Sequence, residues 1–194
     1  YYSGIPRVGK ELIEKYSSNL IATTGNIYGE IPKLILERGE YEAEEAFKWW
    51  VDLFGDDFYV ELMRHGLPEE DRVNEVLLDF AKKYGVKPIA TNDVYFINAK
   101  DKPAHDVLLC VKDGNTISDE ASHDSYKKYR RQRYALANDK YYFKSAEEMN
   151  QLFYDLPEAI ENVMEIVEKC SPIKLKRDIL LPKFPLPDGF TDEN

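Results

Sequence analysis

The chain has 194 residues, 43% of them hydrophobic and 13% aromatic, which is the composition of a packed chain and excludes a disordered one. Its 26 Lys and Arg against 36 Asp and Glu give a formal net charge of −10, which argues against a surface that coats nucleic acid or anionic membrane broadly. That length suits one sizeable core, or one domain plus an appendage.

Arg7 to Tyr16 places Val8, Leu12, Ile13 and Tyr16 near helical spacing behind Pro6 and predicts a helix. Asn19 to Thr24 is a short β-forming run closed by Gly25-Asn26 and predicts a buried strand. Gly29 to Arg38 predicts a short helix that Gly39 stops. Glu42 to Phe54 repeats an apolar stripe at Ala43, Ala46, Phe47, Trp50, Val51 and Phe54, an amphipathic helix ended by Gly55. Phe58 to Leu62 predicts a second strand. Glu69 to Tyr84 predicts a long helix with Val73, Val76, Leu77, Phe80 and Ala81 on one face and Gly85 as cap. Val86 to Ala90 predicts a third strand that runs into Thr91-Asn92-Asp93. The alternation predicts an α/β fold, a mainly parallel sheet with covering helices, and leaves open doubly wound sheets and closed barrels as alternatives.

Beyond Asp93 the texture changes. Ala99 to Val111 predicts a helix, and Asp113 to Asp139 is polar and irregular. Glu147 to Phe153 and Pro157 to Cys170 predict two short helices, and Pro182, Pro185 and Pro187 predict an extended tail. A boundary near residue 113 divides the chain into 1–112 and a connector over 113–194. Cys110 and Cys170 form no CxxC motif and read as reduced thiols in a cytoplasmic setting. No apolar run approaches the roughly 18 residues of a membrane span, and no signal peptide follows Tyr1. A start at Tyr1 instead of Met reads as a piece of a longer chain.

Parallel strands open their carboxyl ends onto one face, where α/β proteins place function. Asp93, after the third strand, is therefore the first candidate acid; Glu61 and His65 at the second strand come next, and Asn26 after the first is third. A structural Asp that caps the next segment competes with a catalytic one. His65, in Arg64-His65-Gly66-Leu67-Pro68, is a candidate ligand or base against a loop histidine bonded to backbone. His105 reads as a packed or capping residue on a helix, and His123 as a loop residue without signal. No HxH, HExxH or CxxC spacing, phosphate-cradling glycine loop or GxSxG elbow occurs. Lys127, Lys128, Arg130, Arg131 and Arg133 place five cations in seven residues beside tyrosines, a candidate phosphate-backbone contact against a solvated loop.

Several stretches together resemble one family. Phe58 to Leu62 running into Arg64-His65-Gly66-Leu67-Pro68-Glu69-Glu70, then Ala90-Thr91-Asn92-Asp93-Val94, Ala104 to Cys110, Tyr142 to Met149 and Leu181 to Pro185, resemble the alpha subunit of bacterial DNA polymerase III in order and over nearly the whole chain. The resemblance implies that residues 1–112 are the later part of a polymerase-and-histidinol-phosphatase (PHP) domain, a distorted β/α barrel. Residues 113–194 would then be a mostly helical and irregular connector towards the polymerase palm. It implies first barrel strands before Tyr1 and palm aspartates after Asn194, so no catalytic residue falls in this chain.

The family's metal-binding members hold divalent ions in a His, Asp, Glu and Cys cage. Here Asn26 of Thr24-Gly25-Asn26 stands where the family has cysteine, and Tyr95 of Asn92-Asp93-Val94-Tyr95 where it has histidine. Asp93 remains as a vestigial ligand, with Glu61 and His65 at the rim. A neutral amide and a neutral phenol replace a thiolate and an imidazole, so a zinc or manganese site is expected to be degenerate. The expected function is DNA-directed DNA synthesis by the full-length chain, with magnesium, template-primer and deoxynucleotides. The domain here would be a structural module that docks the proofreading exonuclease and other replisome subunits, away from membranes. The alternatives are a PHP-superfamily phosphoesterase or 3′-5′ exonuclease, and a non-catalytic module with a local DNA contact.

Overall fold

The computed structural model describes residues 7–123, 132–172 and 176. Helix α1 (Lys10–Tyr16) leads into strand β1 (Ala22–Thr23), helices α2 (Glu30–Glu37) and α3 (Glu40–Phe54), and strand β2 (Phe58–Leu62). Helix α4 (Pro68–Tyr84), strand β3 (Lys87–Ala90) and helix α5 (Lys102–Asp113) follow. Strands β4 (Glu120–Ser122) and β5 (Gln132–Tyr134) and helices α6 (Ala146–Leu152) and α7 (Pro157–Lys169) complete the described residues.

The sheet is parallel in the order β1-β2-β3, with Thr23 opposite Tyr59 and Leu62 opposite Ala90. Each crossover runs through helices, as parallel neighbours require. β2 is central, and Phe58, Tyr59, Val60 and Leu62 are all buried in it, with Glu61 the one charged residue of the strand. Phe58 meets the Phe47 ring of α3 edge-on at 5.3 Å, while the Tyr59 hydroxyl donates to Glu165 of α7 at 2.8 Å. Phe47, Phe58, Val60, Leu62, Val76, Leu77 and Phe80 make the centre of the core. No closed barrel forms among the described residues.

Residues after 113 share that core. Phe153 and Ala159 are fully buried in it, and α7 lies along β3, where Asn162 Nδ2 donates to the edge carbonyl of Pro88 at 2.8 Å. The N-terminal helix behaves otherwise. α1 buries no residue, and Val8, Leu12 and Tyr16 stay exposed. It is tethered by the Lys10–Glu30 ion pair at 2.9 Å and by Trp49 Nε1 donating to Glu14 at 3.2 Å.

The segment read as irregular holds the parallel pair β4-β5. Glu-Ala-Ser and Gln-Arg-Tyr carry no apolar alternation, so strands of three residues leave no periodic signal. A second small cluster of Phe96, Leu136 and Tyr141 forms where Tyr95 and Phe96 pair with 141–143 through Tyr95 N to Tyr141 O at 2.9 Å and Phe143 N to Phe96 O at 3.0 Å. The proline-rich tail lies outside the described residues.

Candidate functional site at the strand ends

The three carboxyl ends of β1, β2 and β3 open onto one cavity of about 230 Å³. It gathers Asn26, His65, Asp93 and Tyr95, which the sequence singled out, with Glu70, Tyr134 and Tyr141, which it did not. Asn26 sits in the turn after β1, where its Oδ1 accepts from Tyr28 N at 3.1 Å and its Nδ2 donates to Asp93 Oδ2 at 3.4 Å. Gly29 is required there: a Cβ would lie against the Thr24 carbonyl oxygen far inside van der Waals contact, and Gly29 N donates to Asn26 O at 2.7 Å.

His65 is fixed from every side. Gly66 takes φ +76, a left-handed turn that glycine adopts without a Cβ clash, and the chain re-enters α4 at Pro68. Glu70, in the first turn of α4, reaches back so that Oε2 accepts from His65 N at 2.5 Å and Oε1 from Nδ1 at 2.7 Å. Both side chains are buried, and the imidazole stacks on Tyr141 with centroids 4.1 Å apart. Asn138 donates to His65 O at 2.7 Å. Arg64 turns outward, makes a bidentate pair with Asp155 at 2.6 and 2.9 Å, and lies over Phe153 at 4.6 Å. The pair holds the Asp155 carboxyl below its ordinary range.

Glu61 does different work from the rim position expected of it. Its carboxylate accepts from Thr23 Oγ1 at 2.6 Å and from Thr91 Oγ1 at 2.8 Å, clamping β1 and β3 to β2. His105 packs edge-on to Tyr95 at 5.8 Å and beside Phe96 at 5.7 Å. His123 lines the cavity mouth, where its carbonyl accepts from Tyr28 OH at 3.0 Å. Of the five basic residues, Lys127, Lys128, Arg130 and Arg131 lie outside the described residues. Arg133 turns inward, with only 13% of its side chain exposed, and faces Asp106 at 3.7 Å.

The donor set bears on metal binding. Burial, and then the Asp93 charge, raises the Tyr95 hydroxyl above its ordinary value, so the phenol stays protonated. Asn26 offers an amide oxygen already engaged by Tyr28 N. No group of three His, Cys, Asp or Glu side chains suited to a metal ion occurs among the described residues. A polynuclear site needs several anionic or imidazole donors, and the described residues bring Asp93, Glu70, His65 and His123 to this cavity.

Glu70 and Tyr141 were hidden in the sequence for identifiable reasons. Glu70 reads as one of three acids that favour the start of α4, which masks its reach back to His65. The available signal was position, since a glutamate three residues past a helix cap can accept from the preceding backbone. Tyr141 arrives from a distant segment, and no local pattern announces it.

The model of the PHP domain matches residues 1–65, a span that holds β1, β2 and His65 and stops before Asp93. The chain is 39% identical over 186 residues to the DNA polymerase III subunit alpha of Borreliella burgdorferi, covering 95% of this chain and 15% of that protein. It is 36% identical over 196 residues to the same subunit of Thermus aquaticus, covering 96% and 15%. The Caulobacter vibrioides subunit is 38% identical over 177 residues, covering 91% and 14%. The chain thus spans about 15% of the length of the curated relatives it matches.

Proposed function

We infer that this chain, similar along nearly its whole length to DNA polymerase III alpha subunits, is the PHP-bearing segment of a bacterial replicative DNA polymerase. The observation that carries the inference is 39% identity over 95% of the chain, far beyond the 1–65 matched by the PHP domain. Template-directed DNA synthesis, with magnesium, template-primer and deoxynucleotides, is then the work of the full-length polypeptide in the cytoplasm. Residues 1–112 continue the PHP fold, and 113–194 lead towards the palm while lending α6 and α7 to the sheet.

The strand-end cavity serves as a scaffold in this reading. Asn26 and Tyr95 supply neutral oxygens in place of a thiolate and an imidazole, and Glu70 is already engaged by His65, which leaves the Asp93 carboxylate alone against the dehydration of clustered ions. The domain stabilises the polymerase and presents a surface to the proofreading exonuclease and other replisome subunits. Primer extension by the full reading frame tests the inference. Synthesis lost on replacing paired acids downstream of Asn194 supports it, and a frame that encodes no such acids refutes it.

One observation favours a second reading, a PHP-type phosphoesterase or 3′-5′ exonuclease: His65 and Asp93 line the same cavity. Loss of manganese-dependent hydrolysis in Asp93→Ala would select it.

A further inference from the structure

Lys10, Lys48, Lys83, Lys87, Lys102 and Lys169 each pair with a carboxylate. Lys144, in the segment before α6, is held differently. Its Nζ donates to Asn92 Oδ1 at 2.9 Å and to the Lys140 carbonyl, and it lies over the Tyr142 ring at 4.6 Å. Both acceptors are neutral oxygens. Burial, and then the nearby Lys140 charge, lowers the Lys144 ammonium below its ordinary value, against the opposing pull of Glu148, Glu70 and Asp139. Hydrogen bonds to carboxylates move Lys48, Lys83 and Lys87 the other way.

The same side chain stands at an opening. Lys144 lines a cavity of about 430 Å³ together with Arg64, Lys140, Tyr142, Gln151 and Leu152. That volume falls within the roughly 300–1,000 Å³ of small-molecule pockets, so a reagent of a few heavy atoms has room beside it. A partly desolvated lysine next to another cation is an activated nucleophile, because more of it is unprotonated at neutral pH. The neutral amine keeps two N–H groups for Asn92 and Lys140, which leaves its lone pair uncommitted. Lys140 borders the same cavity but is 58% exposed and sits 3.9 Å from Asp139.

We propose that Lys144 is an acylation site, taking a small acyl group from an activated donor such as an acyl phosphate. The unprotonated Nζ attacks the acyl carbon. The N–C bond forms, the C–O bond to phosphate breaks, phosphate leaves, and the surplus proton passes to solvent. The amide that results carries one N–H and no charge, so it cannot serve both Asn92 Oδ1 and the Lys140 carbonyl. Acylation therefore weakens the tie between 140–144 and the end of β3, one residue from Asp93. The proposal holds whether the strand-end cavity is a scaffold or a metal centre.

Acetyl phosphate is the probe, incubated at neutral pH with the full-length polypeptide, folded and in urea. Acetyl occupancy at each lysine is read by peptide mass spectrometry. In the folded protein Lys144 is expected to carry about threefold or more the acetyl of Lys140, since the free-amine fraction rises faster than nucleophilicity falls as a pKa drops. In urea the two should react alike. Lys144 acetylated no more than Lys140 in the folded protein overturns the proposal. So does a preference that survives in urea, which would belong to the local sequence and not to the fold.

Discussion

Glu70→Ala removes the carboxylate that orients His65, and its cost follows from what is left behind. Glu70 accepts two bonds, from His65 N at 2.5 Å and Nδ1 at 2.7 Å, between side chains 6% and 1% exposed. A bond to a charged acceptor contributes about 1.5–3 kcal/mol, and alanine recovers a few tenths through helix propensity. The expected loss is about 3–5 kcal/mol, two such bonds less the gain in helix propensity. Urea unfolding followed by the fluorescence of Trp49 and Trp50 in α3 measures it, and a thermal scan should fall by roughly 2–4 °C per kcal/mol. Glu69→Ala is the control, since Glu69 lies in the same helical turn but is exposed. Glu70→Gln should recover most of the loss, because the imidazole can shift its proton to Nε2 and accept from the amide. A Glu70→Ala change no larger than that of Glu69→Ala would refute the dyad.

The other expectations are independent of it. Glu165 is held down to about 2, chiefly by Lys87, then by Tyr59 and Lys169, against an ordinary value of 4.5. Its folded value is the depressed one, so its contribution is present above about pH 4.5 and is lost as pH falls towards 2. Melting temperatures across that window should therefore fall less steeply in Glu165→Gln than in the parent; parallel curves would contradict the assignment. Gly29→Ala drives a Cβ into the Thr24 carbonyl and should cost about 1–3 kcal/mol in urea unfolding, where a neutral result would mean that the turn relaxes freely. Reversing Lys127, Lys128, Arg130 and Arg131 should weaken primed-DNA binding by the full-length polypeptide and flatten its salt dependence. Arg133→Ala should instead lower the melting temperature, because Arg133 faces Asp106.

The sequence carried the fold best where burial imposes a period. β2 spans Phe58–Leu62 as its apolar run predicts, and the helix expected over Glu69 to Tyr84 begins one residue earlier, at Pro68. The stripe at Ala43, Phe47 and Trp50 likewise packs on the sheet. It carried less where partners come from far along the chain. α1 shows an apolar periodicity yet buries nothing, since periodicity states what a face can do and not whether a neighbour covers it. β4 and β5 are three-residue strands held by backbone pairing, which any side chain permits. At the site, strand-end logic placed Asn26, His65 and Asp93 together, because parallel strands deliver their ends to one side. Glu61 sits at the same end, but its two threonine partners on neighbouring strands become visible only once the register is known.

Whether the strand-end site is a scaffold or a metal centre is settled most directly by counting ions. Zinc and manganese should be measured per chain by elemental analysis after dialysis, in the full-length polypeptide and in its Asp93→Ala variant. A cage with Asn26 and Tyr95 in place of charged or imidazole donors predicts less than about a tenth of an ion per chain, unchanged by the substitution. About two or three ions per chain, lost with Asp93, would contradict the scaffold account and make the cavity a metal centre.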